Sequence, residues 1–122
     1  MKLSEAIEEV KAEKPNSFGA DHLTRYINNV EASVQNFLGI DREEWAKYDW
    51  EADGNKELIV PAPYDVLYKS FLKAKIDYAM EEYESYENNQ AQFEADFDDW
   101  KAWAMRSGLV ISDAPTAFTN WF

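Results

Sequence analysis

Between Tyr64 and Arg106 the chain contains no Gly and no Pro, and its larger apolar residues recur on one helical face. They stand at Tyr64, Leu67, Tyr68, Phe71, Leu72, Ile76, Ala79, Met80, Tyr83, Tyr86, Phe93, Phe97, Trp100 and Ala104. From Leu72 on the steps are mostly three and four, with polar Gln90 at the one missing place. A helix turns once in about 3.6 residues, so this spacing gathers the apolar groups into a stripe. Lys69, Lys73, Asp77, Glu81, Glu84, Asp98 and Lys101 fall on the opposite face. The stripe keeps its phase across Glu87-Asn88-Asn89-Gln90, which predicts one long helix, bent there. A hairpin broken at Asn88-Asn89 is the other reading, because Asn favours helix ends and turns. As one helix it would run roughly 60 Å, at about 1.5 Å per residue. That exceeds the width of a compact domain of this size, so a partner subunit is expected to cover part of the stripe.

The rest of the chain is read around that stretch. At 122 residues it makes one domain, and with 46% apolar and 16% aromatic residues it can bury a core. Leu3, Ile7 and Val10 predict a first helix over about Ser4 to Glu13, closed by Lys14-Pro15-Asn16. Asn16-Ser17-Phe18-Gly19 is a loop. Asp21 is the expected N-cap of a second helix carrying Leu23, Tyr26, Ile27, Val30, Val34, Phe37 and Leu38, with Gly39 as its stop. Asp41-Arg42-Glu43-Glu44 resembles a capping box and predicts a short helical turn over Arg42 to Tyr48. Asp53-Gly54-Asn55 is a turn. Glu57-Leu58-Ile59-Val60 reads as extended and ends at Pro61-Ala62-Pro63, with Pro63 suited to the first turn of the long helix. After Ser107-Gly108, Leu109-Val110-Ile111 is a second short β-like run that could pair with Leu58-Ile59-Val60, within a subunit or between neighbours. The tail that follows holds Phe118, Trp121 and Phe122 and is expected to dock on its own subunit or on a partner. The fold class is therefore all-α: a small helical bundle with one long C-terminal helix and at most two very short β segments.

Charge and residue usage exclude whole classes of function. Twelve Lys and Arg stand against 24 acidic residues, a formal net charge of −12. Nucleic-acid binding needs cations to neutralise phosphates, and an anionic membrane surface needs them equally. The absence of Cys removes disulfides, thiolate metal sites and cysteine nucleophiles. Met1-Lys2-Leu3-Ser4-Glu5 lacks the apolar core of a signal peptide, and no apolar run approaches the roughly 20 residues of a membrane span. A soluble cytoplasmic chain is expected.

Catalytic signals are missing. The lone histidine, His22, lies at the start of the second helix with no nucleophile beside it in sequence, and reads as a surface residue. Glu94, Asp96, Asp98 and Asp99 lack the alternating ligands and central Gly of a calcium loop and read as a solvated acidic face, as do Glu8/Glu9 and Glu81/Glu82. No Gly-rich phosphate loop, serine nucleophile elbow or HExxH motif is present. Tyr78, Tyr83 and Tyr86 fit a core or a subunit interface better than a base-stacking platform. No catalytic residue, cofactor or metal ligand is expected.

The order of parts carries a resemblance. A short helix, Leu3 to Lys11, precedes a capped helix, Asp21 to Glu31, ending at Phe37-Leu38-Gly39. Then comes Val60-Pro61-Ala62-Pro63-Tyr64-Asp65-Val66-Leu67-Tyr68, continuing through Leu72 to Tyr78 and Tyr83 to Asn89 as far as Phe93. Over residues 1 to 106 this is similar to the small head–tail connector, or adaptor, proteins of tailed bacteriophages and prophages. The resemblance implies a non-enzymatic virion assembly part, found in the virion or the host bacterial cytoplasm. Such connectors form a ring, commonly dodecameric, beneath the portal protein; they extend the DNA channel and offer a surface to the next head-completion or tail protein. A connector-like helical domain is expected over 1–108; the docking tail over 109–122 is read from its aromatic residues, since the resemblance offers it no counterpart. Leu58, Ile59, Val60, Leu109, Val110, Ile111, Phe118, Trp121 and Phe122 are the expected partner contacts. DNA would pass through without being specifically bound. A second class stays open, an acidic DNA mimic that blocks a nucleic-acid enzyme. Lys69, Lys73, Lys75 and Lys101 count against it.

Overall fold

A computed structural model of the chain describes residues 1–111. The described part is all-α. The helices are α1 (Leu3–Glu13), α2 (Ala20–Leu38), α3 (Trp50–Asp53), α4 (Val66–Ala79) and α5 (Tyr83–Arg106), with a 3-10 turn at Arg42–Glu44. Phe118, Trp121 and Phe122 lie outside the described residues.

α1 buries Leu3, Ala6, Ile7 and Val10 and is anchored at its start from both sides. The Glu5 carboxylate accepts from the Lys2 N–H at 3.0 Å. The Leu3 N–H donates to the Lys56 carbonyl at 3.0 Å, and the Leu58 N–H to that of Met1 at 2.9 Å. α2 presents Leu23, Ile27, Val30, Val34 and Leu38 to the core. It begins earlier than expected: Gly19 is its N-cap, and Asp21 lies in the first turn without capping it. A carboxylate there still favours the positive end of the helix dipole. Gly39 ends the helix with φ 81°, and the N–H groups of Gly39 and Ile40 return to Asn36 and Gln35.

The long stretch is two helices, not one. α4 stops at Ala79 and the chain reverses through Met80-Glu81-Glu82, with Glu81 at φ 60°. α5 then runs back along α4: Tyr64 meets Trp103, Phe71 meets Phe93, Ser70 meets Asp96 and Asp77 meets Asn89. The break therefore lies ahead of Asn88-Asn89, which sit inside an unbroken α5. The reason is side-chain use: the Asn89 amide donates to the Asp77 carboxylate at 2.6 Å instead of bonding its own backbone. α5 is about 36 Å long. Because α4 covers much of the α5 stripe, the over-long helix no longer argues for a partner subunit. Pro63 lies in the turn before Val66 rather than in the first turn of α4.

The two β-like runs do not pair with each other. The described residues hold no strand, only an isolated bridge between Lys2 and Glu57. The Val60 N–H donates to the Tyr68 hydroxyl at 2.9 Å, and the Ile111 N–H to the Leu38 carbonyl at 2.7 Å.

The segment between α2 and α4 is held by polar side chains of α2. Asn28 brackets the Tyr48 backbone, accepting from its N–H at 2.7 Å and donating to its carbonyl at 2.9 Å. Gln35 does the same for Ala46, at 2.6 and 3.2 Å. These amides act where a neighbouring strand would otherwise satisfy the backbone. The capping box expected at Asp41 is absent: its side chain makes no cap bond, and the turn ends at Glu44. The cap instead stands at Asp49, which accepts from the Ala52 N–H at 3.1 Å and opens α3.

Candidate functional site

Burial of a polar group without partners is costly and often marks chemistry. Among the described residues two carboxylates are fully buried, Glu31 and Asp77. Neither was singled out as buried from sequence, and Asp77 had been placed on the exposed face.

Glu31 sits on α2 between Asn28 and Gln35. One oxygen accepts from the Tyr48 hydroxyl at 2.9 Å and the Ile59 N–H at 3.0 Å. The other accepts from the Tyr68 hydroxyl. Burial pushes the Glu31 carboxyl above its ordinary value against these donors. Burial, then the Glu31 charge, push both tyrosines up, so they stay hydroxyl donors. The node ties α2 to the 48–60 connector and to α4.

Asp77 sits at the far end of α4. It pairs with the Lys14 ammonium, which also meets Glu82 at 3.1 Å. Its other oxygen accepts from Ser85 at 2.8 Å and Asn89 at 2.6 Å. Burial works to raise the Asp77 pKa, but Lys14, Asn89 and Ser85 outweigh it and hold the carboxyl below its ordinary value. A serine on a carboxylate beside a lysine has the parts of a nucleophilic site. The lowered pKa makes Asp77 a poor base for the Ser85 proton, so the group works as a staple closing the hairpin onto α1. Glu13 adds a second tie from α1, bridging Lys69 and Lys73, which hold it down at about 2.

The sequence-level candidates are spent in similar ways. His22 bonds the Tyr26 hydroxyl at 3.0 Å and packs on Phe18. Asp96 accepts from Ser70, Asp98 pairs with Lys101 at 3.2 Å, and Glu94 accepts from Gln90. Among the described residues no group of three or more His, Cys, Asp or Glu could hold a metal ion. No described helix is long and apolar enough to cross a membrane.

What remains is apolar surface at the two ends of the α4–α5 hairpin. At the tip, Tyr78 is 59% exposed, Tyr83 54% and Met80 45%. The Tyr78 ring meets those of Tyr83 and Tyr86 at 6.0 and 5.2 Å. A shallow depression of about 430 Å³ opens beside them, lined by Glu82, Tyr83, Glu84, Ser85 and Asn88. At the other end Val66, Met105, Leu109 and Ile111 are exposed. Of the expected partner contacts, Leu109 and Ile111 are therefore at the surface and Val110 is half-buried. Leu58 and Val60 are buried in the chain's own core, with Ile59 half-buried beside them, so none of the three offers an open face. Against known proteins, the chain matches no protein-family model, no curated protein and no solved structure.

Proposed function

We propose that this chain is a structural assembly part: a head–tail connector that joins a ring, of the dodecameric kind, below the portal of a tailed bacteriophage and extends its DNA channel. One observation carries the reading. The buried polar groups described above hold the fold together, while exposed apolar side chains gather at the two ends of one rigid helical hairpin. An adaptor needs such an arrangement, because it must grip one protein above and another below. The resemblance over Val60 to Phe93 supports it, since that segment takes in the turn before α4, all of α4 and the first half of α5. The net charge of −12 suits a channel wall along which DNA slides without adhering. The partners are further copies of the chain, the portal protein, and the next head-completion or tail protein.

Light scattering with and without the portal ring of the same genome tests this. Recruitment of many copies onto the portal is the expected result. A chain that stays monomeric and ignores the portal overturns it.

A second reading, an acidic DNA mimic, draws on one feature. Glu84, Glu87, Glu94, Asp98 and Asp99 are all exposed along α5, whereas Lys69 and Lys73 are taken up by Glu13. It expects DNA to displace a basic protein from the chain in a competition assay.

A further inference from the structure

The tip of the hairpin combines two features that point to one kind of occupant. Tyr78, Met80 and Tyr83 present an apolar surface, each close to half exposed or more. Around them stand Glu81, Glu82, Glu84 and Glu87, all exposed. Glu82 is engaged by Lys14. Glu81, Glu84 and Glu87 have no ion-pair partner among the described residues. From Met80 to Asn88 the chain has no Lys or Arg at all. Tyr83 and Glu87 are four apart on α5, so ring and carboxylate share a face.

We propose that the hairpin tip, Tyr78 to Glu87, is a docking site for a cationic, partly apolar protein segment rich in arginine or lysine. Tyrosine faces attract such cations and pack on their aliphatic stems. The carboxylate rim steers them in and sets their register. Charge disfavours the alternatives. Residues 112–122 of this chain contain Asp113 and no cation, and a second copy brings a net charge of −12. This deepens the connector reading by giving the chemistry of one partner, but the site does not require that partner to be a portal.

The test uses the full ¹⁵N-labelled chain. One synthetic peptide alternates arginine and leucine; a second alternates glutamate and leucine. The first should shift amide resonances concentrated within residues 78–88, and the second should not bind. The E81K/E84K/E87K variant should bind the first peptide about tenfold more weakly or worse. Y78A/Y83A should weaken it as well, while salt alone should not abolish it, because apolar contact remains. These side chains are exposed, so unchanged resonances elsewhere will confirm that the variants fold. No binding, shifts spread evenly out to Asp98 and Asp99, or a charge-reversed variant that binds as tightly as the wild type each overturn the site. The two readings separate cleanly. A charge-reversed chain recruited to the portal as well as the wild type removes the tip and keeps the connector. A peptide bound at the tip by a chain that no portal recruits does the reverse.

Discussion

Glu31 and Tyr68, 37 residues apart in sequence, share a hydrogen bond in the buried centre of the molecule. The same hydroxyl accepts from the Val60 N–H, and the same carboxylate accepts from Tyr48 and Ile59. One acid thus joins α2, the connector and α4. Glu31→Ala strands two hydroxyls and a backbone N–H, so it should destabilise the fold by about 3 kcal/mol. Glu31→Gln keeps an acceptor and removes the titration. The pKa is raised by burial above the ordinary 4.5. The folded state therefore holds that proton more tightly than the unfolded chain. The resulting stabilisation is complete below about pH 4.5 and is lost as pH rises through the folded value. Urea unfolding from about pH 4 to 8 should show Glu31→Gln gaining on the wild type as pH rises. A difference that stays constant with pH sinks the account.

Asp77 behaves in the opposite sense. Its folded pKa lies below the ordinary 3.8, so its contribution is present above that pH and fades as pH falls through the folded value. Asp77→Ala leaves Lys14 facing Glu82 alone and frees Ser85 and Asn89. It should cost about 3 kcal/mol at neutral pH and progressively less as pH falls through the folded value. The cost should appear mainly as loosening of the hairpin from α1, read as faster amide exchange in α5 than in α2. Equal protection of both helices would count against the staple.

How much was legible follows from which residues carried each feature. α1 and α2 were readable because local chemistry ends them: Pro15 follows the first and Gly39 closes the second. The hairpin was hidden because Met80-Glu81-Glu82 contains no Gly, Pro, Asn or Asp, and Met80 and Tyr83 continue the stripe in phase. Tertiary packing set the turn, as two apolar faces cover each other better than one long face meets water. Asn88-Asn89 had the right local chemistry and the wrong place. The Glu31 node left a fainter sign: Asn28, Glu31 and Gln35 recur at helical spacing beside the apolar stripe of α2. Polar residues so placed either face water or bind backbone, and the irregular segment after Gly39 supplied the backbone. For the candidate site, Leu109 and Ile111 were found at the surface. Leu58 and Val60 were not, because a short apolar run does not say which side of it is covered.

Glu81 holds a backbone conformation that suits glycine, at φ 60°. A side chain there costs energy that the turn does not need. Glu81→Gly should therefore stabilise the fold by about 0.5–1 kcal/mol, raising the melting midpoint by roughly 3–6 °C. It also removes one carboxylate from the tip, so the arginine–leucine peptide should bind less tightly to the more stable protein. A variant that loses stability would show that the Glu81 side chain holds the turn.

Beyond Gly108 the chain stays tied to the helical domain as far as Ile111, the last described residue. Gly108 takes a left-handed φ of 70° and lets the Leu109 N–H return to Ala104 at 3.0 Å, closing α5. Two residues later Ile111 donates to Leu38 at 2.7 Å and ties that closure to the end of α2. A chain cut after Ser107 loses this tie and should lose about 1 kcal/mol. A chain cut after Ile111 keeps both bonds and should unfold at a higher urea midpoint than the chain cut after Ser107. It lacks Phe118, Trp121 and Phe122, and under the connector proposal it should be recruited to the portal ring less well. The pair of truncations separates folding from assembly. If the chain ending at Ile111 is recruited in full, the last eleven residues play no part in that contact, and the exposed Val66, Met105, Leu109 and Ile111 become the surface to alter next.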